Sequence, residues 1–269
     1  MRIALGQFIV SREKEINGRR MEEFTAQAAG LGADVILFPE GAMADYDDND
    51  KLSAVAEPLD GPFVRRLSVA ARANRVIVVA GVHESIPGSE RVYNTVVALG
   101  TDGALLGSYR KIHLYDSFGV KESNQIEPGD GRVLLFSVGD IVCGVETCYD
   151  VRFPELSRHL ADEGAHVILL PAAWFHGLLK ERHWDTLVRA RAIENTVYVA
   201  AAGCVGGAYS GSSMLVDPMG VPIVMIGEVE GVVAGDVLLD RLQQVRQKLP
   251  SREHVRPDIY RAWQLQAVR

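Results

Sequence analysis

The feature that most limits what this chain can fold into is an α/β rhythm broken by hairpins. Apolar runs rich in β-branched residues occupy positions 3–10, 35–38, 76–82, 92–99, 133–136, 141–145, 167–170 and 197–202. Between some of them lie segments of helical spacing: Ile16, Met21, Phe24, Ala28 and Leu31 recur on one face and stop at Gly32, and Pro62 opens a segment carrying Phe63, Leu67 and Ala70. At Thr101-Asp102-Gly103 and at Asp217-Pro218-Met219-Gly220, however, strand follows strand with only a turn between. A purely parallel sheet would need a crossover at each of these points, so the pattern predicts α/β architecture with mixed sheets. With 269 residues, 48% of them hydrophobic, and no repeat or Pro/Gly/Ser-rich linker, the expectation is one domain over residues 1–269.

Charge and cysteine content remove several function classes. The net charge of −7 argues against nucleic acid or an acidic membrane as partner, since both require a basic face. No window approaches the roughly 20 apolar residues of a membrane span. The N-terminal apolar run reads as a first strand rather than a signal segment. Three cysteines provide no disulfide framework and suit a reducing compartment, with the cytoplasm as the expected location.

One of those cysteines has an unusual position. Cys148 stands at the end of an expected strand 141–147 and precedes Pro154, which opens a helix carrying Glu155, Leu156 and Leu160. A thiol on such an elbow lies near backbone N–H groups that favour a thiolate or a developing oxyanion. Most lone cysteines are small buried hydrophobes, and Cys143 and Cys204 keep that reading.

A nucleophilic thiol needs a base or a nearby cation, yet none of the seven histidines is marked by its local sequence as the partner. Two other strand ends carry charge. Phe38-Pro39-Glu40 closes one apolar run with a carboxylate, and Tyr109-Arg110-Lys111 ends another with an ammonium. Each alone reads as a solvated terminus. Together with Cys148 they provide acyl-transfer chemistry, the carboxylate moving the thiol proton and the lysine holding an oxyanion. In an α/β sheet such groups converge at the carboxyl ends of neighbouring strands. A zinc site from Cys143, Cys148 and His166 fits no compact ligand spacing, and metal would remove the thiolate as nucleophile.

These three motifs resemble the Glu-Lys-Cys triad of the nitrilase, or carbon–nitrogen hydrolase, superfamily. The likeness continues through Asn94-Thr95, His113-Leu114, Glu127-Pro128-Gly129, Leu170-Pro171-Ala172-Ala173-Trp174 and Arg256-Pro257-Asp258. The resemblance implies an α-β-β-α sandwich, commonly paired into a homodimer. It implies Glu40 as general base, Lys111 as oxyanion stabiliser and Cys148 as nucleophile, with the Tyr149 N–H as second oxyanion donor and Glu122 positioning substrate or assisting proton transfer. It calls for no metal or organic cofactor.

Cys148-Tyr149-Asp150 resembles the amidase and carbamoyl-hydrolase branches more than true nitrilases, which show Trp-Glu after the cysteine. Compact length and the 109–123 segment bring the chain nearest the ω-amidase and deaminated-glutathione-amidase type. The implied activity is hydrolysis of small aliphatic amides through a thioester, with release of ammonia. An N-carbamoyl amine or amino-acid hydrolase is the alternative, and a nitrilase, an idle binding protein or a thiol redox sensor fits less well. Tyr46, Phe118, Trp174 and Phe175 are candidate lining residues, since pockets are mostly apolar. For Arg152 an internal acid is the expected partner over a substrate carboxylate. Gly211-Ser212-Ser213 stands where relatives have Gly-His-Ser, and Met219 where a tryptophan is common; the first of these departures bears on the pocket.

Overall fold

Two six-stranded mixed sheets lie face to face, and helices cover their outer faces. The computed structural model describes residues 1–46 and 51–267. In the first sheet the strands run in the order Gly231–Asp236, Arg2–Gln7, Val35–Leu37, Ile77–Ser85, Val92–Leu99 and Leu105–Arg110. The three strands from Arg2 to Ser85 are mutually parallel, and the hairpin 92–110 and the strand Gly231–Asp236 add antiparallel edges. The second sheet runs Pro222–Met225, Met214–Val216, Tyr198–Gly203, Val167–Ala172, Ile141–Val145 and Leu135–Val138, again parallel at its centre and antiparallel outside.

Side-chain alternation explains the layering. Ile3, Leu5, Val35, Leu37 and Val79 join Cys143, Val145, Val167 and Leu169 in one core between the sheets. The intervening Ala4, Ile36, Val78 and Ala80 turn the other way, against Met21, Phe24 and Ala28 of helix α1 (Lys14–Gly30) and Phe63 and Leu67 of α2 (Pro62–Asn74). Strands buried on both faces are near-continuously apolar for this reason. Helices α3 (Pro154–Asp162) and α4 (Lys180–Asn195) cover the second sheet, with Leu156, Leu160, Trp184 and Val188 buried in a cluster that includes Ile168 and Leu170 and is continuous with the inter-sheet core. Each such fully buried aliphatic side chain contributes about 1.5–3 kcal/mol relative to exposure.

Helix α5 (Leu239–Lys248) follows the last strand, and α6 (Pro257–Ala267) ends the described chain. Among the described residues no helix is long and apolar enough to cross a membrane. Both expected hairpins form, and Pro62 and Pro154 each open a helix. The strand before the elbow is shorter than the expected 141–147, ending at Val145.

Candidate active site

Glu40, Lys111 and Cys148 all follow strands, but not adjacent ones. Two strands of the first sheet separate the one before Glu40 from the one before Lys111, and the strand before Cys148 belongs to the second sheet. The expectation of neighbouring strand ends is therefore corrected. Face-to-face stacking of the two sheets brings the three residues to the wall of one cavity of about 400 Å³.

Glu40 is placed by backbone approach. Its segment crosses over Gly81, where an added Cβ would sit 2.7 Å from the Glu40 Cα and 2.6 Å from the Gly41 nitrogen. Only glycine permits that contact. Lys111 is held similarly: the Gly129 N–H donates to the Lys111 carbonyl at 2.9 Å, and a Cβ on Gly129 would collide with the Arg110 carbonyl.

The charged side chains form a closed network. Lys111 Nζ donates to Glu40 Oε1 at 2.8 Å and to Glu122 Oε2 at 2.8 Å. Asn94 Nδ2 donates to Glu40 Oε1 at 2.8 Å and to Glu122 Oε1 at 3.1 Å. The Ala173 N–H donates to Glu40 Oε2 at 2.8 Å, and the Tyr115 N–H donates to Glu122 Oε2 at 2.5 Å. Burial by itself would raise the Glu40 pKa, but the Lys111 charge and hydrogen bond hold it below the usual carboxylate value. Burial likewise works against the Lys111 ammonium, and the charges of Glu122 and Glu40 keep it well above its usual value. The Cys148 thiol is pushed well up, first by burial and then by the Glu40 charge, with Lys111 opposing. The resting site is thus a neutral thiol facing an ionised carboxylate.

The elbow carries backbone strain. Cys148 has φ of +46°, in the left-handed region that costs a residue with a Cβ about 1–3 kcal/mol. It opens a single turn, Cys148–Arg152, in front of α3. Asp150, wholly buried, fastens this turn: it accepts from the Thr147 N–H at 2.9 Å, the Tyr109 hydroxyl at 2.7 Å and the His113 N–H at 3.2 Å. His113 Nδ1 lies 2.7 Å from the same carboxylate, and the ring stacks on Phe153 at 3.8 Å. One aspartate thereby ties the elbow to the segment that carries Lys111.

Of the expected lining residues, Tyr46, Trp174 and Phe175 border the cavity, as do Tyr149 and Glu122. Phe118 does not. It is 56% exposed with φ of +53° and stacks beside Tyr115, because the short hairpin Asp116–Lys121 turns it outward. Gly211, Ser212 and Ser213 also lie outside the lining: Ser213 is a buried brace that donates to Gln7 Oε1 at 2.7 Å, and Met219 is exposed.

Arg152 departs from expectation most. Among the described residues no carboxylate pairs with it; its Nε and Nη2 are buried without hydrogen-bond partners, and its guanidinium sits 4.7 Å over the Trp174 ring at the cavity wall. Residues not singled out from sequence include Asp150, Tyr115 and Lys180. Asn94, Tyr115 and Asp150 lie within the segments that carry the family resemblance, so the sequence holds a signal for them.

Comparison with known proteins agrees with this geometry. The sequence profile of the carbon–nitrogen hydrolase family matches residues 2–247. The chain belongs to the carbon–nitrogen hydrolase family. A deaminated glutathione amidase of Escherichia coli O157:H7 is 38% identical over 252 residues, covering 93% of this chain and 95% of that protein. An omega-amidase of Xenopus tropicalis is 34% identical, with 96% of both chains covered. Among solved structures, a mutant of the amidase from Nesterenkonia sp. AN1 superposes with a TM-score of 0.81 at 28% identity, covering 95% of this chain and all of that one; it shows acrylamide added to its active-site cysteine. The protein is accordingly an amidase, an enzyme that hydrolyses carbon–nitrogen bonds.

Proposed function

We propose that the enzyme hydrolyses the terminal amide of small aliphatic acids that carry a free carboxylate, in the manner of an ω-amidase. The observation that carries this reading is Arg152, a cation at the cavity wall with no acid partner among the described residues. Two buried guanidinium nitrogens without partners are costly to maintain, and a substrate carboxylate would supply the bidentate partner they lack.

In the proposed reaction Glu40 accepts the thiol proton as Sγ attacks the amide carbonyl carbon. The negative charge that develops on the carbonyl oxygen falls beside the Lys111 ammonium and the Tyr149 N–H, a first-turn donor without an intrahelical acceptor. Glu40 then returns its proton to the departing nitrogen, the C–N bond breaks, and ammonia leaves a thioester on Cys148. Water, deprotonated by Glu40, attacks the thioester carbon; collapse frees the acid and returns the thiol. Glu122, bound to Lys111 and Asn94, holds both in place. The reading also includes a homodimer in the cytoplasm; three free cysteines suit that compartment.

The test is an ammonia-release panel of monoamides of dicarboxylic acids, simple amides, N-carbamoyl compounds and nitriles, run beside Cys148→Ala. The expected outcome is preferential turnover of acid monoamides, reduced more than about 10⁴-fold in the variant. Release of carbon dioxide from N-carbamoyl compounds, with no turnover of amides, would replace this reading. In the preferred substrates Arg152→Leu is expected to raise KM by roughly 10- to 100-fold, the range for a charged hydrogen bond, with a smaller change in kcat.

A further inference from the structure

Besides Arg12, Lys111 and Arg152, another cation borders the same cavity. Lys180 is only 5% exposed, although it lies at the start of α4, where helix residues usually meet water. Its Nζ donates to the Tyr115 hydroxyl at 2.7 Å and stands 4.9 Å, 5.1 Å and 4.9 Å from the ring centres of Tyr115, Phe118 and Phe175. Among the described residues no carboxylate pairs with it. The acids on the cavity wall are already engaged, Glu40 and Glu122 by Lys111 and Asp45 by the Tyr209 hydroxyl at 2.8 Å.

The backbone that delivers Lys180 is strained. Gly177, Leu178 and Leu179 have φ of +88°, +50° and +62° in succession. Both leucines are exposed, so their own burial does not offset the strain. What the conformation achieves is a helix start with Lys180 turned inward, its carbonyl accepting from Trp174 Nε1 at 2.7 Å. The same Trp174 ring supports Arg152. Two cations thus share one aromatic wall, and burial of the ammonium, with the charge of Arg152 nearby, lowers the Lys180 pKa from its usual value.

We propose that Lys180 is a specificity-determining residue that forms, with Arg152, a paired-cation cradle for the acidic group of the substrate. The inference rests on the acid-amide reading above and extends it. It assigns the preference for a negatively charged tail to two residues from separate segments, the elbow and the start of α4. The three rings shield the ammonium from water on its other sides, which strengthens its attraction for a carboxylate.

The experiment compares kcat and KM for succinamate and for its neutral methyl ester in the wild type, Lys180→Met, Lys180→Arg and Arg152→Leu. The expected result is that Lys180→Met lowers kcat/KM for succinamate about tenfold more than for the ester, chiefly through KM, and that Lys180→Arg restores most of the preference. Thermal melting of each variant separates this from misfolding, because a general loss of fold would lower both substrates together. If the wild type prefers succinamate and Arg152→Leu removes that preference, while Lys180→Met reduces acid and ester equally, Lys180 is only a brace and the cradle is refuted although the acid-amide reading stands. If the wild type does not distinguish the two substrates, the acid-amide reading itself fails, and the cradle with it.

Discussion

Two buried glutamates flank the nucleophilic elbow, and their surroundings have opposite effects. Glu40 reaches the site from the first sheet, where Lys111, Asn94 and the Ala173 N–H surround its carboxylate and hold it ionised. Glu146, two residues before Cys148 and wholly buried, has the Ser157 hydroxyl at 2.6 Å on one oxygen and no partner on the other. Burial pushes its pKa up to about 7, and Ser157 offsets only part of that. The difference teaches that depth alone raises the pKa of a carboxylate toward neutrality, and that a lysine at hydrogen-bond distance is what keeps a buried carboxylate ionised well below it.

The largest expected effect comes from removing each carboxylate in turn. Glu40→Gln should lower kcat by roughly 10²- to 10⁴-fold, the range for loss of a general base, whereas Glu146→Gln should leave kcat within about threefold of wild type. Steady-state ammonia release reads both. Comparable losses in the two variants would mean that the functional distinction between the glutamates is wrong.

Lys111→Met is the next largest and would make the Glu40 region resemble that of Glu146. Two carboxylates, Glu40 and Glu122, would then face each other in a buried site without their cation. Removing one partner from a buried ion pair costs about 3–5 kcal/mol of stability, and losing the oxyanion donor costs roughly 10²- to 10³-fold in kcat. With the lysine gone, burial raises the Glu40 pKa in the folded state above its unfolded value. The variant should therefore be most stable at acid pH and lose stability as pH rises through the new folded value, which a series of thermal melts would detect.

The pH profile of the wild type sharpens the comparison further. Because Lys111 holds the Glu40 pKa below its usual 4.5, Glu40 stays ionised into acid solution. Its contribution to stability is fully present above the unfolded value and is lost as pH falls through the lower folded value. The acid limb of kcat/KM should accordingly lie below pH 4.5, provided melting curves show the fold intact there. A limb near neutrality would instead assign the controlling ionisation to a group like Glu146.

How much of this could be read in the sequence follows from the range of each interaction. Cys148, Glu40 and Lys111 stood out because each interrupts the pattern of an apolar run, which is local information. Their meeting did not, since it depends on how one sheet stacks on another and on Gly81 and Gly129 letting backbones cross. Asp150 was legible as part of a motif, but its task of tying the elbow to Tyr109 and His113 is a contact between sheets. Lys180, followed by Glu181 and Arg182, reads as a solvated helix start and is turned inward by three successive left-handed residues. Arg152 was expected to find an internal acid and finds Trp174 instead. The edge strand Gly231–Asp236, half-buried and interrupted by glycine, lacked the apolar run that marked the central strands.

The smallest effect in this series concerns stability alone. Glu146 titrates at about 7 in the folded protein and near 4.5 unfolded, so the folded state binds the proton more tightly. Its contribution is fully present below pH 4.5 and declines as pH rises toward about 7. The full excursion is on the order of 3 kcal/mol from the linkage relation. Glu146→Gln keeps the shape and the Ser157 contact without an ionisable group. It should flatten the dependence of Tm on pH between about 5 and 7 and raise Tm relative to wild type at the upper end of that range. An unchanged slope in the variant would show that Glu146 has acquired a cation after all, with Arg191, whose charge favours ionisation of this carboxylate, as the first to examine.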